Sequence, residues 1–370
     1  MQSTEQKIER AALAGLAAAN MDERERSTDI SLAELAALVE TAGGQPVVTL
    51  LQNKPTPDPR TFLGEGKVAE VQLYCENTGA TMVIFDNDLS PSQMRVLTEE
   101  LGVRVLDRSG LILDIFAQRA QTREGQLQVE LAQYQYLLPR LTGMWTHLVR
   151  QTASGGSSPI GTRGPGETKL ETDRRHIRRR IEALREQLKK IEVGRHETQR
   201  RREKDGTVTV ALVGYTNAGK STLMNLLTQA GVLAEDKLFA TLDPTARALK
   251  LPGGKTVMLI DTVGLVRRLP HHLVEAFRST LEQAATADII LNVCDASSPE
   301  ARTHLDVTNE ILQSLGCGDR PVIPVLNKWD LVGDADSALH LTGAVRISAL
   351  KNEGIPALLQ AIEDNLPVKP

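Results

Sequence analysis

Eight consecutive residues in the second half of the chain have the types and spacing of a phosphate-binding loop. The segment GYTNAGKS fits G-x-x-x-x-G-K-[ST], in which glycines allow backbone N–H groups to surround phosphate oxygens. The lysine would reach the β- and γ-phosphates of a nucleotide, and the serine hydroxyl would bind Mg²⁺. The expected phosphate-binding residues are Gly214, Tyr215, Thr216, Asn217, Ala218, Gly219, Lys220 and Ser221.

A second motif, D-x-x-G, follows the apolar run TVMLI and consists of Asp261, Thr262, Val263 and Gly264. Such a tetrapeptide alone is usually only a turn. Here it lies at the carboxyl end of a predicted strand, where a doubly wound sheet places its ligands. Asp261 is expected to hold Mg²⁺ through a water molecule, and the Gly264 N–H is expected to contact the γ-phosphate.

A third motif ends a later apolar run and decides which base is bound. It consists of Asn327, Lys328, Trp329 and Asp330. The Asp330 carboxylate can accept hydrogen bonds from the N1–H and exocyclic amine of guanine, whereas adenine has no such donor pair. Lys328 would lie along the plane of the base, so GTP is expected in preference to ATP. The base would be supported from below by Ser348, Ala349 and Leu350.

These motifs, in this order, resemble those of the translation-factor class of GTPases, and two further segments resemble a narrower family. GPGETKLETDRR at 164–175 and FATLDPT at 239–245 are similar to signatures of the HflX family of ribosome-associated GTPases. The order of the segments and the chain length also agree with that family. The resemblance implies a GTPase that binds the large ribosomal subunit and its rRNA, and that splits or rescues stalled ribosomes under stress.

The resemblance also implies roles for the loop that contains FATLDPT. Thr241 corresponds to the switch threonine that ligates Mg²⁺ directly and reports the γ-phosphate. Thr245 is the alternative, since both hydroxyls lie in one loop. Thr241 completes an expected catalytic set with Lys220 and Gly264. Nucleotide binding is expected to extend over Phe239, Ala240, Thr241, Leu242 and Asp243.

GTP hydrolysis requires an oriented water molecule and neutralisation of the developing charge. In many relatives a Gln or His after D-x-x-G orients this water, but Leu265 occupies that position here. Leucine cannot orient water, so we expect slow intrinsic turnover and stimulation by the ribosome. Arg267 and Arg268 could stabilise charge, or could be solvated. Asn217 resembles the asparagine of potassium-stimulated GTPases, which makes K⁺ a candidate second cation; alternatively, Asn217 caps its own loop.

Positive charge is concentrated in one stretch of the chain. Residues 163–204 hold 15 Lys and Arg against 8 Asp and Glu, while the rest of the chain holds 28 against 39. This asymmetry predicts a polyanionic partner, and RNA is the natural candidate. The alternative is a solvated helix face. The arginine run extends to Arg180, and the expected RNA-binding residues are Arg163, Arg174, Arg175, Arg178 and Arg179.

Periodicity predicts an N-terminal α/β domain over 1–124, with strands and helices alternating from about Gln45. The apolar patch AALAGLAAA at 11–19 is predicted to be a helix. Ser90, Pro91 and Gln93 form a capping-box signature that marks a helix start. The sheet is expected to be parallel.

Over 125–205, apolar residues recur every 3.5 residues in two stretches, which predicts a helical hairpin with a coiled-coil-like seam. A Gly-rich tip at 151–166 separates them, and Pro139 could kink the first helix. Alternatively, the two helices pack on neighbouring domains. From 206 to 370 we predict a P-loop GTPase domain with a doubly wound, mainly parallel sheet. Its strands are TVTVALVG, TVMLID, DIILNVCD, VIPVLN and AVRIS, and a helix closes the chain. The fold class is therefore α/β.

The bulk composition excludes several classes of protein. No apolar run approaches the roughly 18 residues of a membrane helix, and the N-terminus lacks the features of a secretory signal. Three scattered cysteines do not form a disulfide framework or a zinc site. We expect a cytoplasmic, monomeric protein that binds GTP and GDP. The sequence leaves open a ribosome-assembly GTPase, or a signalling switch acting on a protein or membrane partner.

Overall fold

The computed structural model describes residues 8–144, 165–204, 206–228, 238–239, 245–266, 286–317, 320–333, 339 and 341–367. The chain divides into two compact units. The first comprises Met1–Gln118 and Leu127–Gln187, and the second comprises Arg119–Gln126 and Leu188–Pro370. Among the described residues, no helix is both long and apolar enough to cross a lipid bilayer.

The first unit begins with a four-stranded parallel sheet in the order β2-β1-β3-β4. Because every strand is parallel to its neighbour, the helices must return the chain to the same sheet edge each time. The predicted α/β alternation from Gln45 is confirmed. The elements are β1 Arg10–Ala18, α1 Asp29–Thr41, β2 Gln45–Lys54, α2 Glu65–Thr78, β3 Met82–Phe85, α3 Pro91–Leu101, β4 Arg104–Asp107 and α4 Arg108–Arg119.

The patch at 11–19 is strand β1, so the prediction of a helix there is wrong. Alanine and leucine are among the strongest helix formers, but tertiary context routinely overrides helix propensity, and a short continuous apolar run equally suits a strand covered on both faces. β1 lies between β2 and β3 and is almost wholly buried. Burial at the centre of the sheet therefore outweighs local propensity.

Helix α3 begins as its sequence predicts. Ser90 Oγ accepts a hydrogen bond from Gln93 N at 3.3 Å, and Gln93 Oε1 accepts one from Ser90 N at 3.0 Å. Pro91 occupies the first turn, where its missing N–H costs no helical hydrogen bond. This capping box confirms the predicted helix start.

Two long helices, α5 Arg123–Met144 and α6 Pro165–Lys204, occupy the predicted hairpin segment. Pro139 lies inside α5. Apolar residues of both helices are buried, as the 3.5-residue pattern predicts: Leu127, Leu131, Ile181 and Leu184. Arg180 makes a bidentate ion pair with Glu130 of α5 at 2.8 and 2.9 Å. Arg180 thus ties α6 to α5 through this ion pair.

The predicted tip at 151–166 lies largely outside the described residues. Its last two positions belong to α6, which begins at Pro165. Proline suits the first turn of a helix because it needs no N–H partner there. The division of the chain at 124 and 205 stays a prediction.

The second unit contains a six-stranded sheet in the order β10-β9-β8-β5-β7-β6. All neighbouring pairs are parallel except β6 with β7. The elements are β5 Val208–Gly214, α7 Lys220–Thr228, β6 Thr245–Lys250, β7 Thr256–Asp261, β8 Ile289–Asp295, α8 Ala301–Ser314, β9 Val322–Asn327, β10 Val345–Arg346 and α9 Ile355–Asp364. The predicted mainly parallel sheet is confirmed.

Strand β6 is an addition to the five predicted strands. It lies at the sheet edge, and its residues are mostly half-buried or exposed, so it lacks the continuous apolar run of a central strand. The buried strands β5, β7 and β8 carry the core of this unit. Their carboxyl ends place the motif residues at one edge of the sheet.

Candidate nucleotide-binding site

The phosphate-binding loop joins β5 to α7 and depends on two close approaches. Gly214 has φ +154°, and a Cβ there would lie 2.0 Å from the Val293 carbonyl oxygen of β8. Gly219 has φ +90°, and its Cβ would lie 2.2 Å from Asn327 Nδ2. No larger side chain fits either position, so both glycines of the motif are required for backbone geometry.

Lys220 is buried at the start of α7. Its Nζ donates to the Gly214 and Tyr215 carbonyl oxygens at 3.0 and 2.8 Å. Burial lowers the pKa of this ammonium to about 8, and the nearby Asp261 carboxylate opposes that shift. A desolvated cation within the loop is suited to an anionic ligand such as a polyphosphate.

The first two motifs are in direct contact. Ser221 Oγ donates to Asp261 Oδ2 at 2.8 Å. Thr216 N donates to the Leu265 carbonyl at 2.7 Å, and Leu265 N donates to the Gly214 carbonyl at 3.1 Å. The loop and the D-x-x-G segment therefore form one backbone-paired unit, with the expected Mg²⁺-binding side chains adjacent.

Gly264 of the D-x-x-G segment lies close to the phosphate-binding loop. A Cβ there would approach Thr216 Cγ2 to 2.8 Å and Lys220 Nζ to 3.2 Å. Thr216 Oγ1 is shielded from solvent and has no hydrogen-bond partner among the described residues. Since a buried hydroxyl without a partner is destabilising, this site fits a ligand that supplies hydrogen-bonding groups.

Asn327 connects the third motif to both neighbouring loops. Its Nδ2 donates to the Ala218 carbonyl at 2.8 Å, and its Oδ1 accepts from Ala349 N at 3.0 Å. The side chain is buried. One amide thus joins the phosphate loop to the segment expected to support the base.

Asp330 lies beside that supporting segment. Hydrogen bonding from Ser348 is the main cause that lowers the pKa of the Asp330 carboxyl, and Lys351 adds to it from 3.5 Å. The carboxylate therefore stays ionised and able to accept hydrogen bonds at neutral pH. The neighbouring Trp329 ring lies 4.5 Å from the Arg346 guanidinium. Leu350 is 84% exposed.

Asp295 and His304 contact residues of the site but belong to none of the predicted motifs. Lys328 Nζ lies 2.8 Å from Asp295 Oδ2, at the end of β8. The Tyr215 ring stacks on His304 of α8 at 3.9 Å. Asp295 carried a usable signal, because it is an acidic residue ending a buried apolar strand at the ligand edge. The His304 contact depends on how α8 packs and has no sequence signal.

The structure does not describe every predicted residue. Ala240, Thr241, Leu242, Asp243, Arg163, Arg267 and Arg268 lie outside the described residues. Phe239 is buried with φ 57°. Thr245 begins β6 and pairs in register with Asp261, and its Oγ1 has no hydrogen-bond partner in the described part of the chain. The alternative between Thr241 and Thr245 therefore stays open.

The predicted RNA-binding residues that the structure describes lie on α6. Arg175, Arg178 and Arg179 are exposed, and Arg174 is half-buried. In this stretch Arg178 lies 4.0 Å from Glu171, a distance at which an exposed ion pair holds the side chain only weakly. The exposed arginines are therefore available to a partner.

Models of known protein families match most of the chain. Three family models match in order: GTP-binding GTPase N-terminal at 29–117, GTP-binding GTPase Middle Region at 119–202, and 50S ribosome-binding GTPase at 209–328. GTPase HflX of Caldanaerobacter subterraneus subsp. tengcongensis is 48% identical over 97% of this chain and 81% of its own. The chain belongs to the HflX family of GTPases. The HflX family member of Lacrimispora saccharolytica is 49% identical over 90% of this chain and 78% of its own.

A solved structure has a similar fold. SsGBP, solved in complex with GDP, is 25% identical with a TM-score of 0.52, over 96% of this chain and 98% of that one. As an HflX-family GTPase, this chain binds GTP and hydrolyses it to GDP and phosphate. The recognition of the family from GPGETKLETDRR and FATLDPT is confirmed.

Proposed function

We propose that this HflX-family GTPase binds the large ribosomal subunit and splits or rescues stalled ribosomes in a GTP-dependent manner. The observation that carries the proposal is the match of residues 209–328 to the 50S ribosome-binding GTPase family. The exposed arginines of α6 support it, since clustered positive charge binds the phosphates of RNA.

The geometry supports specific roles in nucleotide binding. The backbone of 214–221 would surround the phosphates, with Lys220 neutralising their charge. Ser221 and Thr241 would hold Mg²⁺ directly and Asp261 would hold it through water. The 2.8 Å contact between Ser221 and Asp261 supports this assignment, because Mg²⁺ prefers hydroxyl, carboxylate and water oxygens. The metal would neutralise phosphate charge during hydrolysis.

Base recognition would depend on Asp330, whose ionised carboxylate faces Ser348 and Lys351. Two acceptor oxygens match the two donors of the guanine edge. Lys328 and the 348–350 segment would contact the faces of the base. Gly264 would contribute its N–H to the γ-phosphate, and with Lys220 and Thr241 it forms the proposed catalytic set.

Slow intrinsic hydrolysis follows from Leu265, which is 1% exposed and presents only a hydrocarbon side chain. Such a residue excludes water but cannot orient it. We infer that the bound ribosome supplies the group that orients the attacking water, which Leu265 cannot do. Asn217, with φ 58° in the phosphate loop, is the proposed contact for K⁺.

The proposed RNA contact combines α6 with the Gly-rich tip. Helix α6 has 40 residues and is therefore about 60 Å long. The predicted RNA-binding arginines that are exposed lie in the half of the helix that follows the tip in sequence. The tip at 151–166, with Arg163, would gain order against rRNA. Three further proposals are a division at 124 and 205, a monomeric state and a cytoplasmic location.

Co-sedimentation with purified ribosomal subunits tests this function. We expect the protein to pellet with the large subunit with a non-hydrolysable GTP analogue, and less with GDP. Sucrose gradients should show intact ribosomes separating into subunits, and binding should fall steeply with salt. Failure to pellet with the large subunit in any nucleotide state would refute the proposal. Binding to assembly precursors without any separation of intact ribosomes would favour an assembly role.

Two variants localise the contact. Replacing Arg175, Arg178 and Arg179 with glutamine should weaken binding and reduce its salt dependence, while Arg302→Gln on α8 serves as a matched exposed control. Replacing 154–163 with a Gly/Ser linker should leave GTP affinity and basal hydrolysis unchanged and weaken ribosome-stimulated activity. Unaltered ribosome-dependent activity in the linker variant would make the tip a simple connector.

A further inference from the structure

An ion pair lies where two central strands of the second unit end. β8 and β9 are parallel neighbours, and their last residues, Asp295 and Asn327, are paired in register. Lys328 follows directly, and its Nζ lies 2.8 Å from Asp295 Oδ2. Because Lys328 belongs to the base-recognition motif, the carboxylate of Asp295 contacts that motif from the adjacent strand.

Both partners are held in place by their surroundings. Asp295 Oδ1 accepts hydrogen bonds from Ser297 N at 3.0 Å and from Ser297 Oγ at 2.6 Å. This leaves the other carboxylate oxygen directed to the lysine. The side chains of Lys328 and Asp295 are only 27% and 21% exposed, so solvent screens the pair less than it screens a surface pair.

The backbone conformation of Lys328 is unusual for a residue other than glycine. Lys328 has φ 57°, a left-handed conformation that residues other than glycine adopt at a cost. The lysine side chain is flexible and needs a partner to stay in one orientation, since fixing its four-carbon stem costs rotamer entropy. Asp295 is that partner among the described residues.

We propose that Asp295 is a positioning residue for guanine-nucleotide binding, acting through Lys328. By holding the ammonium at the strand edge, Asp295 fixes the direction of the aliphatic stem, which then presents its apolar length to the flat face of the base. Pre-organisation of this kind strengthens binding because less freedom is lost when the ligand arrives. This inference rests on the proposed role of the 327–330 motif in base recognition.

A double-mutant cycle in the full-length chain tests the inference. The variants are Asp295→Asn, Lys328→Met and the two combined. Asparagine keeps an oxygen for Ser297 but removes the charge, and methionine keeps an unbranched apolar stem without the ammonium. The affinities for fluorescent GDP and GTP analogues are measured for each variant, together with the midpoint of urea unfolding.

We expect Asp295→Asn to weaken GDP and GTP binding equally, by about three- to fivefold, the upper range for a partly shielded ion pair. Lys328→Met should weaken binding at least as much. The double variant should bind like Lys328→Met alone, because without the ammonium Asp295 has nothing to position. Asp306→Asn serves as the control, since it removes a carboxylate from an exposed pair on α8 and should leave affinity at the parent value.

The outcomes separate this inference from the proposed function. Parent-like binding in Asp295→Asn beside weakened binding in Lys328→Met would overturn the positioning role and leave base recognition standing. Multiplicative losses in the double variant would also overturn it, since the two side chains would then act independently. Parent-like binding in Lys328→Met would overturn the positioning role, because the ammonium that Asp295 holds would then not matter for binding, and would leave recognition of the base by Asp330 standing. A lowered unfolding midpoint with unchanged affinity would assign Asp295 to stability alone.

Discussion

Asn327 offers the sharpest test of how the second unit is held together. Its side-chain amide makes two buried hydrogen bonds, to the Ala218 carbonyl at 2.8 Å and from Ala349 N at 3.0 Å. Asn327→Ala removes both and leaves two buried backbone groups without partners. Each such group costs about 1–3 kcal/mol, so we expect the free energy of unfolding to fall by about 2–6 kcal/mol.

The assay can be confined to the affected unit. The chain has two tryptophans, Trp145 and Trp329, so a Trp145→Phe background leaves Trp329, two residues from the change, as the reporter. Urea unfolding followed by Trp329 fluorescence gives the loss in free energy. GDP affinity measured in the same background should also fall, because the amide positions the phosphate loop and the 348–350 segment together.

A control and a refuting result complete this test. Asn292 is a buried asparagine of β8 whose Nδ2 donates to Asn309 Oδ1 at 3.1 Å. Among the described residues, Asn292→Ala breaks that one side-chain hydrogen bond, and it should cost about 1 kcal/mol without changing GDP affinity. If Asn327→Ala loses no more stability than Asn292→Ala, or binds GDP as the parent does, the bridging argument is wrong.

Three further outcomes are expected. Asp330→Asn replaces an acceptor pair with a donor and an acceptor, so the affinity ratio should shift from GDP towards xanthosine diphosphate; undiminished GDP binding would contradict the base-recognition argument. GTP hydrolysis should be faster in KCl than in NaCl at equal ionic strength, with the difference lost in Asn217→Ala; equal parent rates would discard the role of K⁺. Tyr136→Phe removes a buried hydroxyl that donates to Asp107 at 2.7 Å. The free energy of unfolding of the first unit, measured by thermal unfolding, should fall by about 1–2 kcal/mol, with basal hydrolysis unchanged. A parent-like unfolding midpoint would show that this hydrogen bond does not stabilise the unit.

The sequence predicted those features that depend on residues close together in the chain. The phosphate loop requires glycine locally at Gly219, whose φ of +90° is a conformation that L side chains rarely adopt. Likewise, the capping box at Ser90 and Gln93 is a contact within one helical turn. Buried parallel strands such as β5 and β8 carry continuous apolar runs because helices cover both faces. Each of these features could be predicted without knowing any distant neighbour.

Features that depend on distant neighbours could not be predicted in this way. β1 resembles a helix in composition and is a strand because β2 and β3 flank it. Arg180 reads as one of several basic residues, yet a partner 50 positions away holds it.

The candidate site shows the same division. Its motifs, their order and the choice of guanine were determined by the sequence, since each motif needs particular residue types at short spacing. The contacts of Asn327 with Ala218 and of Lys328 with Asp295, in contrast, depend on the tertiary structure. Those contacts form because parallel strands bring their carboxyl ends to one sheet edge, a proximity that residue spacing along the chain does not encode.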